Sequence, residues 1–282
     1  MHGNDPRAFC RNWILSKIFG TLRMVRSPKY DGKYLHALLR QYLGDLRLDK
    51  ALTNVIIPTF DIAFLQPTIF SSFELKQRPY KNALLSDISI GTSAAPTFFP
   101  AHYFETKDAN GSTRAFNLVD GGLAANNPTL CAMNEVTKDI ILGDGDFFPV
   151  KPVDYGKFMV ISLGCGSNRK SRYSAKAAAK WGIFNWLIKD GTAPIIDMFN
   201  AASGDMYDQL TGSAGSIDDC SKENMDKLVK MGKDLLNKTV SRVDLETGRN
   251  VDVPGEGTNA EKLAMFAKQL SDERRRRQKL PK

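Results

Sequence analysis

Asp120 is the residue of this sequence whose type and setting could do chemistry. It closes the short apolar run Phe116–Val119 and precedes Gly121 and Gly122, in FNLVDGGLAANNP (116–128). A carboxylate at a strand end, on a sharp turn into a helix, is presented to substrate in open α/β sheets. The two glycines accept backbone angles that other residues resist and let a substrate approach the main chain. An Asp so placed can take a proton from a Ser hydroxyl, or orient the base that does. By spacing alone, a plain Asp-Gly turn fits the same residues.

The nucleophile that such a carboxylate would serve is missing. Ser93, in GTSAAPTFFP (91–100), has Gly91 two residues before it but Ala95 two after, so it fails the G-x-S-x-G elbow. The small run Ser93-Ala94-Ala95 suits close packing of a helix on a sheet instead. Ser213 fails as well, with Thr211 before and Gly215 after, and no Ser in the 282 residues satisfies the pattern. Cys165 stands between Gly164 and Gly166, open to approach, but only three His exist (His2, His36, His102) and none is near it in sequence. The same loop, GCGSNRK, could hold an anion through backbone N–H groups, although it lacks P-loop spacing and reads equally as a strand-ending turn. No His/Cys/Asp/Glu cluster has metal-ligand spacing, so no metal and no cofactor is expected.

The elements that must position Asp120 follow from periodicity. Asp31 caps a helix over GKYLHALLRQYLG, with Tyr34, Leu35, Leu38, Leu39 and Tyr42 on one face and Gly44 at its end. Strands are expected at Asn54–Pro58 and Thr68–Phe73, with Pro58 and Pro67 limiting their length. A helix over Asn82–Ala95 closes at Pro96, and Phe116–Val119 is a strand. Pro128 opens a helix that continues through Cys131–Leu142. FMVISL (158–163) reads as the cleanest buried strand, broken by Gly164-Cys165-Gly166. Residues 174–189 are amphipathic, with Trp181, Phe184, Trp186 and Leu187, and suit either core packing or membrane contact. Ser221 caps a helix through Leu236. Thr258 and Glu261 form a capping box for a final helix on which Leu263, Phe266, Ala267 and Leu270 share a face. Strands alternate with helices up to about residue 165 and helices dominate after it. That order predicts an α/β fold: a mostly parallel central sheet flanked by helices, with a C-terminal helical wrap.

Composition fits such a domain. Hydrophobic residues make up 42% and charged residues 25%, enough for a real core. No apolar run is long enough to span a bilayer, and the polar start MHGNDPRAF lacks the pattern of a secretory signal. Cys10, Cys131, Cys165 and Cys220 form no CxxC pair, which suggests free thiols in a reducing, cytoplasmic setting. Net charge is +8, and the last twelve residues, SDERRRRQKLPK, hold six Lys/Arg against two Asp/Glu, or +4. This tail is either a solvated helix end or an attraction for anionic lipid; without interleaved aromatics it is a poor nucleic-acid signature.

Several stretches together resemble the plant patatin family of lipid acyl hydrolases. They are KYDGKYLHALLR (29–40), TNVIIPTFDI (53–62), LQPTIFSSFE (65–74), ALLSDISIGTSAAPTFFPAHYF (83–104), FNLVDGGLAANNP (116–128), FFPVKPVDYGKFMVISLG (147–164), AAKWGIFNWL (178–187) and SRVDLETG (241–248). The resemblance implies the cytosolic phospholipase A2-like fold and a Ser–Asp dyad without a catalytic His. Asp120 in its DGG motif would be the dyad base, with Gly121 and Gly122 shaping the turn. Substrates would be membrane glycerolipids, both phospholipid and galactolipid. No cofactor is implied, no calcium-ligand loop is present, and peripheral membrane contact rather than nucleic-acid binding is expected. The sequence departs from the family in two places. The family's oxyanion loop and Ser elbow precede the region resembling 29–40, and neither is found here. A strand-containing segment before the family's LTG is also missing between Met206 and YDQLTG. The chain therefore reads as an N-terminally truncated member. A family-unlike segment (1–28) precedes a partial patatin-like domain (29–270) and a basic tail (271–282). It is expected to be inactive alone, with a non-catalytic lipid-surface-binding or storage protein as the other reading.

Overall fold

The computed structural model describes residues 27–107, 110–143, 150–152, 154–164, 173–189, 193–203, 219–244 and 250–278. The chain divides into two compact units, Met1–Leu163 with Trp181–Asp205, and Gly164–Lys180 with Met206–Lys282. The break at Leu163 falls where the alternation of strands and helices stops in the sequence.

The first unit is built on one four-stranded sheet in the order β2-β1-β4-β3. Its strands are β1 (Ile56–Asp61), β2 (Gln66–Ser71), β3 (His102–Lys107) and β4 (Thr113–Asp120). Every ladder in it is antiparallel. The sequence predicts a mostly parallel sheet, and none of these pairings is parallel. The connections explain why: four residues join β1 to β2 and five join β3 to β4, and such short links permit only hairpins. Asp61 stabilises the first turn by accepting the Ala63 N–H at 2.9 Å. Both proline-limited runs are strands, each displaced from the predicted span. β1 tolerates Pro58, which stands opposite Ile69. β3 was not foreseen at all. Its alternation of buried His102, Phe104 and Thr106 with exposed Tyr103, Glu105 and Lys107 is hidden by polar residue types.

Helix α1 (Lys33–Leu43) has Gly32 at its N-cap, with no side-chain cap; Asp31, expected to cap it, lies one residue earlier and accepts the Lys33 N–H at 3.1 Å in a local turn. Leu35, Leu38 and Leu39 are half-buried, while Tyr34 and Tyr42 face solvent. Helix α2 (Leu85–Thr92) is shorter than the span predicted up to Pro96 and packs on β1, β3 and β4. The core between them holds Leu48, Phe70, Ile88, Phe104, Phe116 and Leu118. The rings of Phe104 and Phe116 stack at 5.0 Å, and Phe70 meets Phe116 at 5.3 Å. Gly91 lets α2 sit directly on β4, because a Cβ there would lie 2.8 Å from Leu118 Cδ1. The close packing expected of this segment thus centres on Gly91, with Ala94 buried behind it.

After β4 come α3 (Gly122–Ala125) and α4 (Thr129–Leu142), the latter starting where Pro128 predicts, with Asn127 Oδ1 accepting the Thr129 N–H at 3.0 Å. Residues 158–163 correct a prediction. They form no strand, and Met159, Val160, Ile161 and Leu163 are exposed. A buried strand needs a neighbour on which to build its ladder, and no described strand lies alongside. The amphipathic segment 174–189 holds two short helices. They are α5 (Ala175–Ala178), within the second unit, and α6 (Ile183–Leu187), within the first, which packs on α7 (Pro194–Ser203). Gly182 separates them.

The second unit carries α8 (Lys222–Leu236), the hairpin β5 (Ser241–Val243) with β6 (Asn250–Asp252), and α9 (Asn259–Gln278). Both predicted caps are in place. Ser221 Oγ accepts the Asn224 N–H at 3.2 Å. Thr258 and Glu261 form the reciprocal box, with the Thr258 N–H donating to Glu261 Oε2 at 2.7 Å and the Glu261 N–H donating to Thr258 Oγ1 at 3.3 Å. The predicted apolar face of α9 is weakly used: Phe266 is half-buried, and Leu263, Ala267 and Leu270 are exposed. Cys131 is a free thiol, but Cys220 is disulfide-bonded. The expectation of free thiols throughout is corrected there, because separation in sequence says nothing of proximity in space. No helix among the described residues is long and apolar enough to cross a membrane.

Candidate active site at the Asp120 turn

Asp120 is the last residue of β4 and stands opposite Thr59 of β1. Its position is fixed from three sides. The Asp120 N–H donates to Ala94 O at 3.1 Å and the Gly121 N–H to Thr92 O at 3.4 Å, so the end of α2 holds the turn. The Thr92 hydroxyl donates to Pro58 O at 2.7 Å and ties the same helix end to β1. Thr59 Oγ1 donates to Thr68 O at 2.7 Å, locking β1 to β2 beside it.

Gly121 is needed for space rather than for an unusual angle. Its φ is −66°, ordinary for any residue. A Cβ there would fall 2.1 Å from Pro58 O and 3.1 Å from Pro58 Cβ, so no side chain fits. Gly122 donates its N–H to Asp120 Oδ1 at 2.7 Å, and a Cβ on it would lie 3.0 Å from the same oxygen. The DGG triplet therefore clamps a half-buried carboxylate at the mouth of α3. Burial pushes the Asp120 carboxyl above the usual aspartate range, and the Gly122 N–H opposes that by favouring the charged form. A carboxylate raised this way is a better proton acceptor from a hydroxyl than an exposed Asp.

Of the other predicted candidates, Ser93 takes no chemical part at this turn. Ser93 donates its hydroxyl back to Ser89 O at 2.6 Å and Ile90 O at 3.3 Å, the geometry of a helix end. Cys165 and the rest of its loop, residues 165–170, lie outside the described residues, as does Ser213. The described residues hold no group of three or more His, Cys, Asp or Glu able to bind a metal.

Two polar clusters in this unit were not foreseen. His102 Nε2 lies 2.9 Å from Asp87 Oδ1, and the His36 ring meets the His102 ring edge-on at 5.6 Å. Burial, then repulsion from His102, hold His36 below the usual histidine range. The second cluster centres on Glu74. Its Oε2 accepts from buried Lys81 at 2.6 Å and pairs with Arg78 at 3.4 Å; its Oε1 accepts from Lys138 at 2.9 Å. Lys138 also donates to Glu135 Oε1 at 2.6 Å, and buried Glu135 Oε2 accepts no hydrogen bond among the described residues. Lys81 sits four residues before Leu85 in a polar loop, so only its pairing across space reveals it.

Comparison with known proteins points to one family. Residues 2–133 match the family model described as patatin-like phospholipase, a span that begins inside the segment set apart at 1–28. The chain is 73% identical to patatin-like protein 2 of Oryza sativa subsp. japonica, over 96% of this chain and 73% of that protein. It is 48% identical to patatin-like protein 2 of Arabidopsis thaliana, over 90% of this chain and 68% of the relative. It is also 38% identical to a Solanum tuberosum protein named "Probable inactive patatin-3-Kuras 1", over 89% and 69%. The chain belongs to the patatin-like phospholipase family.

Proposed function

We propose that this chain supplies the aspartate base of a Ser–Asp dyad that hydrolyses the acyl esters of membrane glycerolipids. The observation that carries the reading is the Asp120 turn. There a half-buried carboxylate with a raised proton affinity is clamped by the Gly122 N–H at a strand end, in a family whose model is a phospholipase. In the reaction, a Ser hydroxyl attacks the ester carbonyl while its proton passes to Asp120. The lipid alcohol leaves with that proton, and the acyl group stays on the Ser. Water then attacks the acyl-enzyme, Asp120 takes its proton, and the free fatty acid departs as the Ser recovers its hydrogen.

None of the 282 residues forms the G-x-S-x-G elbow that would carry that Ser. These residues alone are therefore inactive, since losing nucleophile and oxyanion donors removes most of the rate enhancement. A second reading, a non-catalytic lipid-surface-binding or storage protein, is favoured by the missing elbow and by the name of the potato relative.

The test is a graft. An active patatin's oxyanion loop and elbow are placed ahead of Lys29, and hydrolysis of a soluble medium-chain ester is followed. Turnover that falls by about 10²-fold or more on Asp120→Asn supports the dyad role. Turnover indifferent to Asp120→Asn assigns the base elsewhere.

A further inference from the structure

Part of the exposed apolar surface of the first unit lies on the helices beside the Asp120 turn. Helix α3, which starts two residues after Asp120, packs on α7, and α7 packs on α6. On α6, Ile183 is 69% and Phe184 80% exposed, and Leu187 is exposed as well; on α7, Ile195 and Phe199 add to the same surface. Single exposed apolar residues are ordinary, but a run of large ones on two packed helices marks an interaction face.

The chemistry at its margin says what that face meets. The rings of Trp181 and Trp186 cross edge-on at 5.2 Å and are half-buried, and the Lys189 ammonium lies 5.7 Å over the Trp181 ring. Residues 181–189 contain Lys189 and no Asp or Glu, in a chain of net charge +8. Asp190 follows them, and Asp197 of α7 is half-buried. Outward aliphatic and phenyl groups, bordered by indoles and the Lys189 ammonium, match the layering of a bilayer surface: acyl chains, then anionic headgroups.

We propose that the α6–α7 face docks on an anionic glycerolipid bilayer. Ile183 and Phe184 enter the acyl layer, and Trp181, Trp186 and Lys189 sit at headgroup level. The docked face keeps the Asp120 turn next to the lipid. This proposal rests on the glycerolipid reading above and names the surface through which that substrate is reached.

The test uses the whole 282-residue chain with sonicated vesicles of phosphatidylcholine, alone or mixed with phosphatidylglycerol. The expected result is co-sedimentation that strengthens with phosphatidylglycerol, weakens in salt, and is accompanied by a blue shift of tryptophan emission. Ile183→Asp with Phe184→Asp should weaken binding about tenfold or more, while Leu52→Asp, at a fully exposed position before β1, leaves it unchanged. Near-UV circular dichroism checks that the variants keep the fold. Binding of dihexanoylphosphatidylcholine below its micelle concentration is measured in parallel, because monomers need no surface. A double variant that sediments like wild type overturns this face and leaves the glycerolipid reading standing. A wild-type chain that takes up monomers but no vesicles overturns docking alone. A chain that binds neither overturns docking and the glycerolipid reading together.

Discussion

Gly121 lies against Pro58 so closely that a Cβ on the glycine would fall 2.1 Å from the proline carbonyl oxygen. That carbonyl is already held by the Thr92 hydroxyl at 2.7 Å, so it has little freedom to withdraw. Gly121→Ala is expected to destabilise the first unit by about 1–3 kcal/mol, the cost of overpacking a well-filled site. Urea denaturation followed by tyrosine and tryptophan fluorescence measures it. An unchanged midpoint would show that the turn and β1 separate freely.

Asp120→Asn should not weaken the fold at neutral pH. The Asp120 carboxyl is raised in the folded state by burial, so folding favours its protonated form. The sign follows directly: the group penalises folding at pH values above its folded pKa, and the penalty shrinks as pH falls through that value and is gone below the unfolded aspartate value. An amide at this position can still accept the Gly122 N–H and carries no charge to desolvate. The variant is expected to equal or exceed wild type at pH 7 and to converge with it in acid. Denaturation midpoints across pH decide this, and a variant clearly weaker at pH 7 would assign the carboxylate a structural role.

The Glu74 cluster predicts an ordered pair of effects. Lys81 is buried and depends on Glu74, so Glu74→Ala strands a buried ammonium, which costs about 3–5 kcal/mol. Lys81→Met removes that charge and leaves Glu74 with Lys138 and Arg78, and should cost less. Burial raises the Glu74 carboxyl, but hydrogen bonds from Lys81 and Lys138 outweigh it and leave the group below its ordinary value of 4.5. A depressed carboxylate stabilises the fold above its unfolded pKa, and that stability is lost as pH falls through the folded one. Acid sensitivity beginning near pH 4.5 should therefore shrink in Glu74→Gln. Equal acid sensitivity in the two proteins would place its origin elsewhere.

In the second unit, Thr258 and Glu261 close the start of a long, exposed helix whose apolar side chains are little buried. Local terms should dominate there. Thr258→Ala is expected to cost about 1 kcal/mol and to lower helicity by far-UV circular dichroism. An unchanged spectrum and midpoint would mean that packing, not the cap, holds α9.

What the sequence makes legible is mostly local. The Ser221 and Thr258–Glu261 caps are written in adjacent residues and appear where they are predicted, while the predicted Asp31 cap falls one residue early, at the turn before Gly32. The DGG turn is legible for the same reason, since a strand end and two glycines occupy consecutive positions. Pairing across space is not legible. β3 hides its alternation behind His102 and Thr106, which are buried because Asp87 and the Tyr80 carbonyl bond them. FMVISL misleads in the opposite way: its composition suits a buried strand, but burial and ladder both depend on neighbours. The need for Gly121 also rests on Pro58, 63 positions earlier in the chain.

The most direct measurement is the initial rate of p-nitrophenyl ester hydrolysis by the purified 282-residue chain, beside its Asp120→Asn variant. On the proposed dyad, with Asp120 as base and no elbow serine among these residues, both proteins should match the buffer rate. Turnover by the wild-type chain that Asp120→Asn abolishes would contradict this, because it would mean that a nucleophile acts beside Asp120 within these residues.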